Sequence, residues 1–303
     1  MVDIRRPRRG SLAVRPRKRA DKLLHRFNYW KGDAPLLGLI GYKAGMVSVA
    51  YRIKRDRITS DEVTAGTVIE VPPLTVYGLR YYFPGGQVRD ILTEDKEILK
   101  VLGVKKERKN PEINAEEAKE VRALVFSDPK EAGGVDIRHI LRAEIGLGGS
   151  TVEEQIKNGE ELLGKRVKAS DLVKPGDMLD VAGVTKGKGW QGPIKRFGVA
   201  KQRRKATGKV RHVGTLGPWH PHYIMYYVPQ AGQMGYHNRV DLNKQVLYVG
   251  SEPLPFFDHY GVVKSEYIIV KGSVPGTPKR PISLRFSVRP GVPQPYEQIR
   301  VVK

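Results

Sequence analysis

The string KGKGWQG, residues 186 to 192, sets Gly187, Gly189 and Gly192 at the spacing of a dinucleotide-binding fingerprint. That chemistry also needs a helix after the glycines and a carboxylate about 20 residues on to hold the ribose. Pro193 and a basic run follow instead, and no Asp or Glu occurs before Asp241. The glycines fit another role better, letting the backbone lie close to RNA phosphates with Lys186 and Lys188 between them. Four of the seven histidines, His212, His220, His222 and His237, fall in the same stretch. His220 and His222 flank Pro221, and no cysteine or nearby carboxylate completes a tetrahedral set, so neither a metal nor any other cofactor is expected. Imidazoles in such company stack on bases or bond to phosphates and 2′-hydroxyls. There is no GxSxG elbow, HExxH pair or Walker loop, so no catalytic residue and no small-molecule substrate are assigned, and an enzyme is not expected.

Charge gives the partner class. The chain holds 54 Lys and Arg against 32 Asp and Glu, a net +22, and its pI is near 10.0. An excess of that sign calls for a polyanion, either nucleic acid or an anionic membrane surface. Residues 1 to 31 hold 11 Lys and Arg against Asp3 and Asp21, and residues 186 to 240 hold 11 more with no acid. The other 217 residues are therefore close to neutral. The N-terminal sequence has no apolar core of signal-peptide length, and no run of 18 apolar residues occurs, so neither export nor a membrane span is expected. The absence of cysteine is compatible with a reducing cytoplasm.

The elements that must position these charges follow from periodicity. Residues 1–35 carry Pro7 and Pro16 and no helical or strand period, which predicts a basic arm without its own core. Residues 36–92 are rich in β-branched and aromatic residues broken by Gly and Pro, the pattern of strands and turns. Residues 93–173 are expected to form an α/β insertion: EDKEILKVLG and NAEEAKEVRALV have helical spacing, and Ser150 three residues before Glu153 makes a capping box. A strand is expected over 174–185, and strand-like runs return over 241–303, so the β body is assembled from discontinuous segments, as in a closed barrel with projections. The segment 186–240, with nine glycines and charge of one sign, is expected to project from that body.

The residues expected to meet RNA are Arg5, Arg6, Arg8, Arg9, Arg15, Arg17, Lys18 and Arg19 in the arm. In the second segment they are Lys186, Lys188, Trp190, Lys195, Arg196, Lys201, Arg203, Arg204, Lys205, Lys209, Arg211, His212, Trp219, His220, His222, Gln233, His237 and Arg239. Tyr226 and Tyr227 lie in IMYYV, which alternates like a strand, and can either staple a hairpin to itself or face RNA. GPWHP sets Trp219 in a tight turn between Pro218 and Pro221, aimed at whatever the projection reaches.

The strings GLIGYKAGM, DVAGVTKGKGWQG, RHVGTLGPWHPHYIMYYVPQAGQMGYHNRV and NKQVLYVG, in this order through nearly the whole chain, resemble the ribosomal protein L-three family of the large subunit. GPWHP and the α/β insertion resemble its archaeal and eukaryotic branch. The resemblance implies a six-stranded β-barrel like those of translation factors, a basic N-terminal arm and a finger reaching toward the peptidyl transferase centre. It implies direct binding of large-subunit (23S-type) rRNA early in assembly, contact with neighbouring proteins including L-fourteen, and a cytoplasmic location in the large subunit. By position, Trp219 matches the finger-tip tryptophan, and Gln233 with Gly235 matches the AGQ-x-G of the returning leg. One departure is Ala206 and Thr207, in the basic run where eukaryotic members carry a histidine.

Overall fold

A computed structural model describes residues 8–55, 58–104, 110–111, 117–294 and 296–302. Contacts divide the chain into a smaller unit, Met1–Asp21 with Thr185–Asn238, and a larger one, Lys22–Val184 with Arg239–Lys303. Arg5 and Arg6 lie outside the described residues.

The larger unit is mainly β. In chain order it has β1 (Gly38–Arg55), β2 (Ile58–Glu70), β3 (Leu74–Tyr82), β4 (Val88–Leu92), helix α1 (Lys96–Leu102), β5 (Glu120–Ser127), β6 (Leu141–Gly146), helix α2 (Val152–Leu162), β7 (Arg166–Val167), the turn α3 (Ala169–Leu172) and β8 (Met178–Val184). The smaller unit supplies β9 (Trp190–Gln191), α4 (Pro193–Phe197) and β10 (Gly232–Gln233). The larger unit resumes with β11 (Asn238–Gly250), β12 (Leu254–Phe257), β13 (Gly261–Val263), β14 (Tyr267–Lys271), β15 (Pro281–Phe286) and β16 (Tyr296–Val302).

Six strands pair in a ring, β15-β8-β11-β14-β2-β1 and back to β15, with β16 added on β1. One long strand makes this possible: β1 pairs with β15 over Gly38–Tyr42 and with β16 from Ser48 to Ile53. β8 and β14 are buried on both faces, which is why they are near-continuous apolar runs rather than alternating ones. A second sheet, β4-β3-β5-β6 with β7 beside β3, carries α2. At Gly159 the helix comes so close that a Cβ would sit 2.8 Å from Leu79 Cδ2. A single apolar cluster joins the two sheets through fully buried Leu36, Ile69, Leu74, Val125, Ile268 and Ile282.

Two details differ from expectation. The second half of the helix-spaced run NAEEAKEVRALV, residues 120–125, lies in strand β5 between β3 and β6, and all of β5 but Glu120 is buried. Burial on two faces and two strand partners outweigh a helical spacing that isolated propensity supports only weakly. The capping box sits one residue later than Ser150 and Glu153: Thr151 is the N-cap and Glu154 closes the box, with Ser150 an added donor to the Glu154 carboxylate. No helix among the described residues is long and apolar enough to cross a membrane.

Buried carboxylates tie this unit together. Glu70, wholly buried, accepts from the backbone N–H groups of Gly133 (3.1 Å), Lys264 (2.7 Å) and Ser265 (2.9 Å) and from the Tyr260 hydroxyl. Glu144 on β6 meets Arg26 at 2.8 Å, Arg80 at 3.2 Å, Arg122 at 3.0 Å and the Tyr82 hydroxyl. Burial alone would raise the Glu144 pKa; the Tyr82 hydrogen bond and the three guanidiniums overcome it and hold the carboxyl below its ordinary 4.5. Its stabilisation is then present above the unfolded pKa and lost as pH falls through the lower folded one. Glu144→Gln should cost about 3 kcal/mol at pH 7, since it leaves guanidiniums gathered around a neutral group. In urea denaturation the gap between the two proteins should narrow below about pH 4.5. A gap independent of pH would show that the Glu144 charge is not what holds the cluster.

Candidate nucleic-acid interface

The smaller unit carries 18 Lys and Arg against only Asp3 and Asp21. Ion pairs cannot hold such a unit together, and its backbone shows what does. β9 and β10 pair Gln191 with Gly232 and Trp190 with Gln233. The ladder runs on beyond them through Met234 N–H to Gly189 O (2.9 Å), Lys188 N–H to Met234 O (2.9 Å) and Thr185 N–H to His237 O (3.0 Å). Gly235 is obligatory here: its φ is +71°, and a Cβ would fall 2.0 Å from the Lys186 carbonyl oxygen. A helix does follow Gly192, but α4 has five residues and ends at Gly198 in the left-handed conformation, which is no platform for a dinucleotide.

Residues 8–21 run along this base and are fastened to it by arginines. Arg17 donates to the Arg196 carbonyl (2.9 Å), and Arg196 donates to the carbonyls of Gln233 (2.9 Å), Gln230 (3.1 Å) and Arg17 (3.3 Å). Arg15 donates to Tyr226 O (2.5 Å) and Tyr227 O (3.2 Å), Arg8 to Tyr227 O (3.1 Å), and Arg9 to Gly198 O. The guanidiniums of Arg17, Arg15 and Arg196 lie 4.3, 4.7 and 5.0 Å from the buried Phe197 ring, and Arg19 lies over Tyr236 at 4.9 Å. Burial first, and then the neighbouring guanidiniums, push Arg15 and Arg196 below the ordinary arginine range. Lys18 pairs with Asp21 at 3.5 Å, both exposed.

The structure thus sorts the expected RNA contacts into two groups. Arg9, Arg15, Arg17 and Arg196 are at least partly buried and bonded to carbonyls, with Arg8 bonded the same way at the surface. His237 is buried, its Nδ1 2.8 Å from the Lys18 carbonyl, and the Gln233 amide donates to Gly235 O at 3.0 Å. Arg239 is half-buried at the start of β11, in the larger unit. By contrast Lys186, Lys188, Lys195, Lys201, Arg203, Arg204, Lys205, Lys209, Arg211 and His212 are all exposed. The run from Arg203 to His212 folds as successive turns, closed by Gln202 N–H to Val210 O (2.9 Å) and Gln202 Nε2 to His212 O (3.3 Å). That presents its cations outward on a short loop.

Trp190 (75% exposed) and Trp219 (82%) offer bare indoles to solvent. His220 and His222 pack edge-on at 4.4 Å, and Trp219 meets His222 at 5.9 Å, so the two histidines brace the indole. The stretch around Tyr226 and Tyr227 is a turn, Val228 N–H to Met225 O (3.1 Å), not a strand. The two rings pack edge-on at 5.9 Å, Arg8 lies over Tyr227 at 5.4 Å, and the turn's carbonyls accept from Arg8 and Arg15. Phe197, one of the aromatics interleaved with the basic residues and able in sequence to staple the segment to itself, gathers three guanidiniums; a Phe in a basic run does not announce which residues it will meet.

The family model for ribosomal protein L3 matches residues 1–95 and 93–299. The large ribosomal subunit protein uL3 of Methanothrix thermoacetophila is 42% identical over 96% of this chain and 94% of its own length. That of Methanobrevibacter smithii is 40% identical over the same shares, and that of Methanothermobacter thermautotrophicus 41% over 93% and 92%. With the glycine-dependent ladder, the basic unit and the matched length all in agreement, the chain belongs to the ribosomal protein L3 family, in its archaeal-type branch.

Proposed function

We propose that the protein is a structural constituent of the large ribosomal subunit, not an enzyme, and that it binds large-subunit rRNA directly through the smaller unit. The observation that carries this reading is the separation of charge: 18 cations against two carboxylates in 75 residues, with the lysines and arginines of 186–211 other than Arg196 exposed. Such a surface is self-repelling until a polyanion covers it. Its exposed indoles add stacking platforms, which serve RNA bases better than a uniform polyelectrolyte.

In the finer form of the proposal, residues 1–35 are the N-terminal arm and 186–240 a finger directed toward the peptidyl transferase centre. The six-strand ring is the body, a barrel of the translation-factor kind. Binding comes early in assembly, and neighbouring subunit proteins, L-fourteen among them, touch the body. Family membership supports these assignments, as does the carbonyl-bonded arm, which leaves the exposed loops to make the RNA contacts.

The two kinds of contact can be separated by substitution. Replacing Arg203, Arg204 and Lys205 with Ala removes three exposed charges, so affinity for the rRNA should fall and the slope of log K against log salt should flatten by about 2 to 3. Trp219→Ala removes no charge and costs at most about 1 to 3 kcal/mol of stacking. Subunits carrying Trp219→Ala should assemble with an unchanged salt slope yet be altered in peptidyl transfer or tRNA binding. Wild-type behaviour in those assays would remove Trp219 from the proposed role, and an unchanged slope in the triple variant would remove the basic loop.

A further inference from the structure

The larger unit holds a cavity of about 270 Å³ beside β3, β5 and β6, where the end of the basic N-terminal segment meets the second sheet; its lining includes Lys22, Arg26, Tyr77, Arg80, Arg142 and Glu144. Its charges do not balance. Glu144 is shared among Arg26, Arg80 and Arg122; Arg80 is further paired with Asp90 and Arg122 with Glu120, each through two hydrogen bonds. Those three guanidiniums and three carboxylates satisfy one another. Lys22 and Arg142 are left over at the same cavity, both exposed. Arg142 donates to the Leu102 carbonyl at 2.7 Å, which fixes the guanidinium in place without neutralising it.

We infer that this cavity is a second RNA contact, receiving a backbone phosphodiester between Lys22 and Arg142. A prepositioned guanidinium and a mobile ammonium suit a phosphate, the first by planar geometry and the second as a point charge. Tyr77 lines the same space, and burial raises its pKa, so its phenol is a neutral donor there. The inference rests on the RNA-binding reading above but concerns a different surface.

The test uses the full-length protein and a transcript of large-subunit rRNA, with salt titrations of wild type, Lys22→Ala, the double variant Lys22→Ala/Arg142→Ala, and the double variant combined with the Arg203, Arg204 and Lys205 substitutions. The double variant should flatten the salt slope by about 1 to 2, additively with the triple one. Lys22→Ala, which breaks no hydrogen bond to α1, should give about half that effect and guards against a folding defect at Arg142. Acylation of the Lys22 amine should be suppressed by the transcript and not by inorganic phosphate at equal phosphate concentration. If wild type binds and both variants keep its slope, this site is wrong while the proposed function stands; if wild type shows no salt-dependent binding, the proposed function itself fails. Equal protection of Lys22 by inorganic phosphate would make the cavity a free-anion site and overturn the inference.

Discussion

The smaller unit must hold its shape with almost no negative charge of its own, and the hydrogen bond from arginine to backbone carbonyl is what allows it. Arg8, Arg9, Arg15, Arg17 and Arg196 all bond to carbonyl oxygens, and three of those guanidiniums gather on Phe197. Lysine could not replace them. A guanidinium offers five donors in a fixed plane, stacks on a ring and is weakly hydrated, so it can be partly buried against dipoles without a counter-ion. The cost is burial and, after it, mutual repulsion among neighbours, which together push Arg15 and Arg196 below the ordinary arginine range. A polyanion relieves that cost, so the forces shaping the unit and the forces binding its partner are coupled.

The larger unit solves the opposite problem. Among its buried polar groups are carboxylates met by several donors each: Glu70 by three backbone N–H groups and a phenol, Glu144 by three arginines and a phenol, and Asp180 by Arg285 at 2.9 Å and the Asn243 N–H at 3.1 Å. These pin loops and strand ends of a scaffold with 36 Lys and Arg against 30 Asp and Glu, whose stability comes from the apolar cluster spanning both sheets. Charge within each unit therefore follows its task. The scaffold compensates most of its charge internally, and on the proposed reading the basic unit leaves compensation to its RNA partner.

The apolar runs of β8 and β14 were legible as strands because burial on both faces leaves no polar alternation to misread. β5 was not, since EVRALVFS alternates weakly and only its pairing with β3 and β6 makes it a strand. The closure of six strands in a ring is a long-range property, set by β1 pairing with both β2 and β15, and no local pattern announces it. At the candidate interface, exposed Lys201 to Arg211 could be anticipated from charge alone. The inward role of Arg15, Arg17, Arg196 and His237 could not, because a basic residue in sequence does not say whether its donors meet a phosphate or a carbonyl.

The central claim, that the exposed cations of the basic unit bind RNA while its carbonyl-bonded arginines fasten the unit, is tested most directly by the salt dependence of wild-type binding to large-subunit rRNA. With about ten cations engaging phosphates, log K should fall with log salt at a slope of roughly −7 to −9. A slope shallower than about −3 would mean that only a few cations are engaged, and would contradict the account.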